Sequence, residues 1–168
     1  MLGIQSKLVR YGAIAVVALG GVAGGISFVV LGSDDLRTIA AERAVNTGSD
    51  RIAIKGYDAV AYFTEGRAVK GQPEYTHRWH DAVWQFASAA HRDAFALEPD
   101  RYAPQYGGFC ALGIKVGKAW DIDPQAWSIV DGKLYFGYDQ QGIEDFERHK
   151  VANIEAADEV WRSVVGEN

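Results

Sequence analysis

The chain has one cysteine, one methionine (the initiator) and four prolines in 168 residues. A single cysteine excludes an internal disulfide and a cysteine-rich metal cage. Its thiol must be buried, serve as a ligand, or be available to another molecule. With no methionine beyond Met1 there is no thioether to offer, so a soft metal such as Cu(I) would have to be held by Cys110 and imidazole. Basic residues are also scarce where they would matter. All 22 acidic residues but only 15 of the 17 basic ones follow Gly32, a formal charge of −7 for that part. It has no basic stripe to neutralise phosphates, which argues against a nucleic-acid partner. From Tyr11 to Gly32 charge is absent altogether.

That uncharged run of 22 residues is what the sequence offers in place of charge. At about 1.5 Å per residue such a helix covers roughly 33 Å, enough to cross a bilayer core. A cleaved secretory signal has an apolar region of about 7 to 15 residues ending at a small-x-small site. Here the run is longer, and the nearest candidate site, Ile39-Ala40-Ala41, lies well beyond it. The expectation is an uncleaved transmembrane anchor over 11–32, with residues 1–10, which carry Lys7 and Arg10, kept in the cytoplasm by the positive-inside rule. The protein is then single-pass in the inner membrane, its soluble part in the periplasm or another extracytoplasmic space. Gly20 and Gly24, and Gly21 and Gly25, sit four apart on one face, a spacing that lets two membrane helices self-associate, although glycine is frequent in such helices anyway.

Residues 33–50 read as a polar linker and 51–165 as the folded domain. A short strand is expected at Ile52–Ile54, then an apolar run from Ala59 to Phe63 that closes at Gly66. Aromatic-rich alternation over Tyr75–Trp79 and Val83–Phe86 predicts a β-hairpin about His80-Asp81-Ala82. Ser88 is placed to cap a helix that Pro99 should stop. A second hairpin, Trp127–Val130 with Lys133–Tyr138, flanks Asp131-Gly132, a pair suited to a type I′ turn. Asp139 then caps two helices that run to the end. Hairpins and helices in non-alternating order define an α+β class.

The candidate site is the segment from Pro99 to Leu112. Gly107 and Gly108 open backbone conformations closed to other residues, Pro99 and Pro104 fix the entry, and Cys110 follows the bend. Tyr102 and Tyr106 border it, so Tyr102, Tyr106, Gly107 and Gly108 form a candidate binding segment. A metal site would combine Cys110 with His77, His80 or His91. His77 and His80 are three apart on a strand and its turn, which puts them on opposite faces unless the turn curls. The competing reading makes the histidines surface or capping residues and Cys110 a small buried apolar one. A catalytic thiol would need a base, and His91 is merely the nearest histidine in sequence, so no catalytic set is identified and the chain is read as a non-enzyme. Asp121, Asp123 and Asp131 lack calcium-loop spacing and are read as turn and cap residues. The five tryptophans and most tyrosines are assigned to the core, with Tyr106, beside the glycines, as the exception.

Several segments occur together: Lys55-Gly56-Tyr57-Asp58-Ala59-Val60-Ala61-Tyr62-Phe63, Trp84-Gln85-Phe86-Ala87-Ser88, Pro99-Asp100-Arg101-Tyr102, Tyr106-Gly107-Gly108-Phe109-Cys110-Ala111 and Asp131-Gly132-Lys133-Leu134-Tyr135. In combination they resemble the YHS domain family, over roughly Ile52 to Trp161, and in particular its membrane-associated or exported bacterial branch. The resemblance implies a small domain with two hairpins and covering helices, of a family regarded as metal-binding. Forms with full ligand sets carry further cysteines where this chain has Tyr57-Asp58 and Phe86-Ala87. The expectation is a membrane-anchored, extracytoplasmic binding module that handles a transition metal, copper first, through Cys110 and a nearby histidine. The alternative is a structural or protein-interaction domain that has lost the family's metal site.

Overall fold

Local signals set most of the elements. The structure, a computed structural model, describes residues 45–165. The expected cytoplasmic segment 1–10, the anchor 11–32 with its Gly20, Gly21, Gly24 and Gly25 face, and most of the expected linker lie outside the described residues. Among the described residues no helix is long and apolar enough to cross a membrane.

A tight 3₁₀ turn at Ile54–Gly56 precedes α1 (Ala61–Thr64). The first hairpin follows, β1 (Gln72–Trp79) with β2 (Ala82–Phe86), then α2 (Ala89–Leu97) and α3 (Pro99–Tyr102). A second 3₁₀ turn at Gln105–Gly108 leads to α4 (Ala111–Lys115). The second hairpin, β3 (Trp127–Val130) with β4 (Lys133–Phe136), is followed by α5 (Gln140–Arg148) and α6 (Lys150–Val165). Each hairpin is an antiparallel sheet of its own, and the two do not pair with each other. The architecture is α+β.

Both hairpins turn on two residues of positive φ, the geometry that matches the strands' right-handed twist. Asp131 and Gly132 take φ of 50° and 74°. In the first hairpin the turn is His80-Asp81, with φ of 46° and 57°, a sequence without the usual glycine. Arg51 steadies it, its Nε and Nη2 donating to the Asp81 carbonyl at 3.0 and 2.8 Å. The Ser88 hydroxyl caps α2 by accepting from the His91 N–H at 3.2 Å, and Asp139 Oδ1 caps α5 by accepting from the Gly142 N–H at 2.7 Å. Pro99 not only limits α2 but opens α3, a position where its missing N–H has no intrahelical partner to lose.

Two expectations change. The strand at Ile52–Ile54 is reduced to isolated bridges, Ile52 to Val83 and Ala53 to Thr47, because Ile54 and Lys55 take positive φ and curl the chain into the 3₁₀ turn. Within the expected linker, Val45, Asn46 and Thr47 are buried in the domain, while Gly48, Ser49 and Asp50 are exposed.

The core is two clusters. The first gathers Tyr62, Trp84, Phe86, Phe95 and Phe136 with Cys110, and the second Tyr106, Ile114, Tyr135, Ile143 and Phe146. In the first, Phe95 from α2 lies 5.0 Å from the Trp84 ring and 5.1 Å from Phe86, centroid to centroid.

Into this cluster the fold places a carboxylate. Asp58 is fully buried. Its Oδ1 accepts from the N–H groups of Val60 and Ala61 at 2.9 and 3.2 Å, opening α1, and its Oδ2 accepts from the Ala87 N–H at 2.8 Å and pairs with His91 Nδ1 at 2.6 Å. Each oxygen thus has two partners, which is what makes a buried charge tolerable. Replacing Asp58 with Ala strands three backbone N–H groups and is expected to cost about 3 kcal/mol or more, read from urea unfolding followed by tryptophan fluorescence. His91→Asn keeps a donor near the Nδ1 position and should cost clearly less than His91→Leu, which leaves Oδ2 one donor short, about 1–3 kcal/mol.

Candidate functional site

The bend after Pro104 is built from three consecutive residues of positive φ, Tyr106 at 56°, Gly107 at 61° and Gly108 at 80°. Gly108 is required twice over, since a Cβ there would come within 2.8 Å of Ile54 Cγ2. Tyr106 is the costly member, as a side chain in the left-handed region loses roughly 1–2 kcal/mol. Its contacts offset that cost. The phenol donates to Asp158 Oδ1 on α6 at 2.8 Å, and the ring lies 5.9 Å from Tyr135 and 6.0 Å from Trp161. Burial, followed by the bond to Asp158, pushes the Tyr106 phenol well above the usual tyrosine range. Asn46 straps the bend from the other side: its N–H donates to Gly107 O at 2.8 Å and its Nδ2 to Gly108 O at 3.1 Å. Tyr102 lies apart from this turn, buried edge-on to Phe63 with ring centroids 5.6 Å apart.

Cys110 caps the short α4 and is 1% exposed. Its N–H donates to Trp120 O at 3.1 Å, and its backbone bridges to Phe136 of β4. Burial pushes the thiol up, against the pull of the Gly113, Leu112 and Tyr138 N–H groups, with Asp139 adding to the rise. Burial thus disfavours the thiolate, the form that attacks and ligates. Above it lies an open hollow of about 530 Å³ walled by Leu112, Trp120 and Tyr138.

The structure does not gather Cys110, His77, His80 and His91 into one centre. His77 faces Phe95, with ring centroids 6.1 Å apart, and His80 meets the Trp79 ring at 4.0 Å. His91 is engaged by Asp58. Among the described residues no group of three or more His, Cys, Asp or Glu side chains is arranged to hold a metal ion.

The Asp58–His91 pair, which the sequence did not single out, extends to a hydroxyl: His91 Nε2 lies 3.4 Å from Thr64 Oγ1. Carboxylate, imidazole and hydroxyl in line are the parts of a nucleophilic triad. The hydroxyl, however, donates its one proton to Val60 O at 3.1 Å, within the helix. The line is therefore a helix-capping network, without a hydroxyl activated by the imidazole. An Asp three residues before an apolar helical turn is a capping signal that could have flagged Asp58; its partner, 33 residues on, is visible only in three dimensions.

A cleft of about 300 Å³ opens where the two aromatic clusters meet. Trp79 and Trp84 of the first hairpin form one side, and Tyr106 and Trp161 the other. Asp100, Gln105 and His80 lie along it. Among the described residues none of these three side chains has a hydrogen bond or ion pair. The expectation that the tryptophans are core and Tyr106 the exception is reversed in part: Tyr106, 5% exposed, belongs to the second core cluster although it borders the cleft, whereas Trp120 is 39% exposed.

Comparison with models of protein families, with curated proteins and with solved structures finds no match for this chain.

The thiol's state sets two expectations. Iodoacetamide should label Cys110 far more slowly in the folded protein than in urea, by mass spectrometry. Because its folded pKa is raised, the thiol's contribution to stability is complete below its ordinary value of about 8.5 and is lost as pH rises past it. Tyr135, pushed up to about 12 by burial and then by Asp158 and Asp131, adds the same sign above pH 10. The urea midpoint should therefore fall on the alkaline side, and less steeply in Cys110→Ala.

Proposed function

We propose that this chain is a membrane-tethered binding module, not an enzyme, whose ligand occupies the cleft beside the Tyr106–Gly107 bend. One observation carries the reading: an aromatic-walled cleft at the seam of the two core clusters, along which Asp100, Gln105 and His80 lie with no side-chain hydrogen bond or ion pair among the described residues. Such a combination, apolar walls with a few unengaged polar groups, is the general character of small-molecule sites, and about 300 Å³ is at the lower end of their range. The bend itself supports it. Three successive left-handed residues, held by Asn46 and Asp158, place Tyr106 and the Gly107 backbone along the cleft in one fixed geometry.

The tether rests on the uncharged run 11–32, and the extracytoplasmic placement on Lys7 and Arg10 before it. The resemblance to YHS domains supports a small accessory domain, and the copper-handling part of that resemblance finds no support in the placement of Cys110 and the histidines. The non-enzyme reading is supported by a protonated, buried thiol and by a Thr64 hydroxyl committed to its own helix.

Two measurements test the proposal on the full chain. Alkaline carbonate extraction should leave it in the membrane pellet; release to the supernatant would remove the tether. In nanodiscs, ligand-observed NMR with a fragment set of anionic, neutral and cationic members should find binders that Gln105→Trp, which fills the cleft from a half-exposed position, displaces. Binders that ignore that substitution, or none of any charge, would leave the interaction-domain alternative.

A further inference from the structure

The geometry points to a small organic cation, of the quaternary or tertiary ammonium class, as the ligand of the cleft between the two aromatic clusters. This inference rests on the binding-module reading and names its ligand class. Three observations lead to it.

The first is the wall chemistry. Trp79, Trp84, Trp161 and Tyr106 line the cleft of about 300 Å³; Trp84 and Tyr106 are buried behind it, and the half-buried Trp79 and Trp161 offer the accessible ring surface. Aromatic faces carry the negative part of the ring quadrupole and attract a cation within about 6 Å, tryptophan most strongly. Several aromatic side chains around one small space suit a cation that is weakly hydrated and broad, since it gives up little water on entry and touches more than one ring. A compact, strongly hydrated ammonium like that of lysine gains less.

The second is charge. No lysine or arginine lines the cleft, and its one full charge is the Asp100 carboxylate. Among the described residues that carboxylate has no partner. Its neighbour Arg101 does not neutralise it, for the guanidinium is bound to Glu98 at 3.1 Å and lies over the Tyr102 ring at 5.3 Å. The part after Gly32, at −7, adds a field of the same sign. An anionic ligand would meet Asp100 with no cation to offset it.

The third is preorganisation. Tyr106 is fixed by Asp158, and the Trp84 indole N–H donates to Trp79 O at 3.2 Å. Two of the four aromatic walls are thus held before a ligand arrives, which lowers the ordering cost of binding.

The test compares choline with 3,3-dimethylbutan-1-ol, its neutral isostere, by calorimetry and tryptophan fluorescence on the full chain in nanodiscs. Choline is expected to bind saturably and about tenfold or more tighter than the isostere, the factor a partly desolvated cation–π contact supplies. Asp100→Asn, an exposed position that leaves the core untouched, should weaken choline severalfold and leave the isostere unchanged. Trp161→Leu should weaken both, with circular dichroism confirming the fold. Equal affinity for the two probes, or choline binding indifferent to Asp100→Asn, overturns the cation inference while the cleft remains a binding site. If neither probe binds but NMR fragments displaced by Gln105→Trp do, the ligand class is wrong and the module reading stands. If no fragment is displaced either, both fall.

Discussion

The fold depends first on a buried negative charge that has all its partners. Asp58 opens α1 through the Val60 and Ala61 N–H groups and holds the junction of β2 and α2 through the Ala87 N–H and His91. Without it α1, four residues long, has too few hydrogen bonds to persist in water. That short helix carries Tyr62, whose ring sits edge-on to Trp127 and Phe136 at 5.2 and 5.3 Å and whose hydroxyl donates to Pro124 O at 3.0 Å. Tyr62 thereby joins the first hairpin's cluster to the second hairpin. Phe136 in turn bridges to Cys110, just after the diglycine bend. One carboxylate thus stands at the head of a continuous path of contacts from the start of the domain to its candidate site.

The two hairpins share no sheet, so side-chain packing and a few isolated backbone contacts, such as the bridge of Cys110 to Phe136, hold the halves in register. This explains the aromatic content: large rigid rings supply contact area and orientation where no backbone ladder runs between sheets. It also explains the cleft. Where two clusters of flat rings abut, the fit is complete along Tyr62 and Phe136 and incomplete between Trp79 and Trp161. Cys110, the most conspicuous residue of the sequence, packs in the first cluster with Phe136 and borders the hollow walled by Leu112, Trp120 and Tyr138.

Elements whose signals are local were legible in the sequence. The Asp131-Gly132 turn, the Ser88 and Asp139 caps and the paired C-terminal helices follow from residues within a few positions of one another. The α+β class followed from their order. Missed were Ile54 and Lys55, apolar and basic residues taking φ that propensity does not favour, and α4, whose five residues carry no cap signal in Cys110. The site was legible only as a segment. Tyr106 and Gly107 were singled out for the bend, but Trp161 reaches it from the last helix and Trp79 from the first hairpin, distances no spacing rule spans. The histidines were candidates by residue type alone, since the spacing of His77 and His80 already set them on opposite faces, and strand, turn and helix send each to a different neighbour.

Asn46 gives the bend a mechanical role. Four hydrogen bonds bind it to the domain: to Gly107 O, to Gly108 O, to Asp121 Oδ1 and, from the Ile54 N–H, to its own carbonyl. A pull along the chain from its N-terminal side is therefore delivered at once to the diglycine turn and to the 3₁₀ turn at Ile54, and the bend that shapes the cleft is among the first parts to feel it.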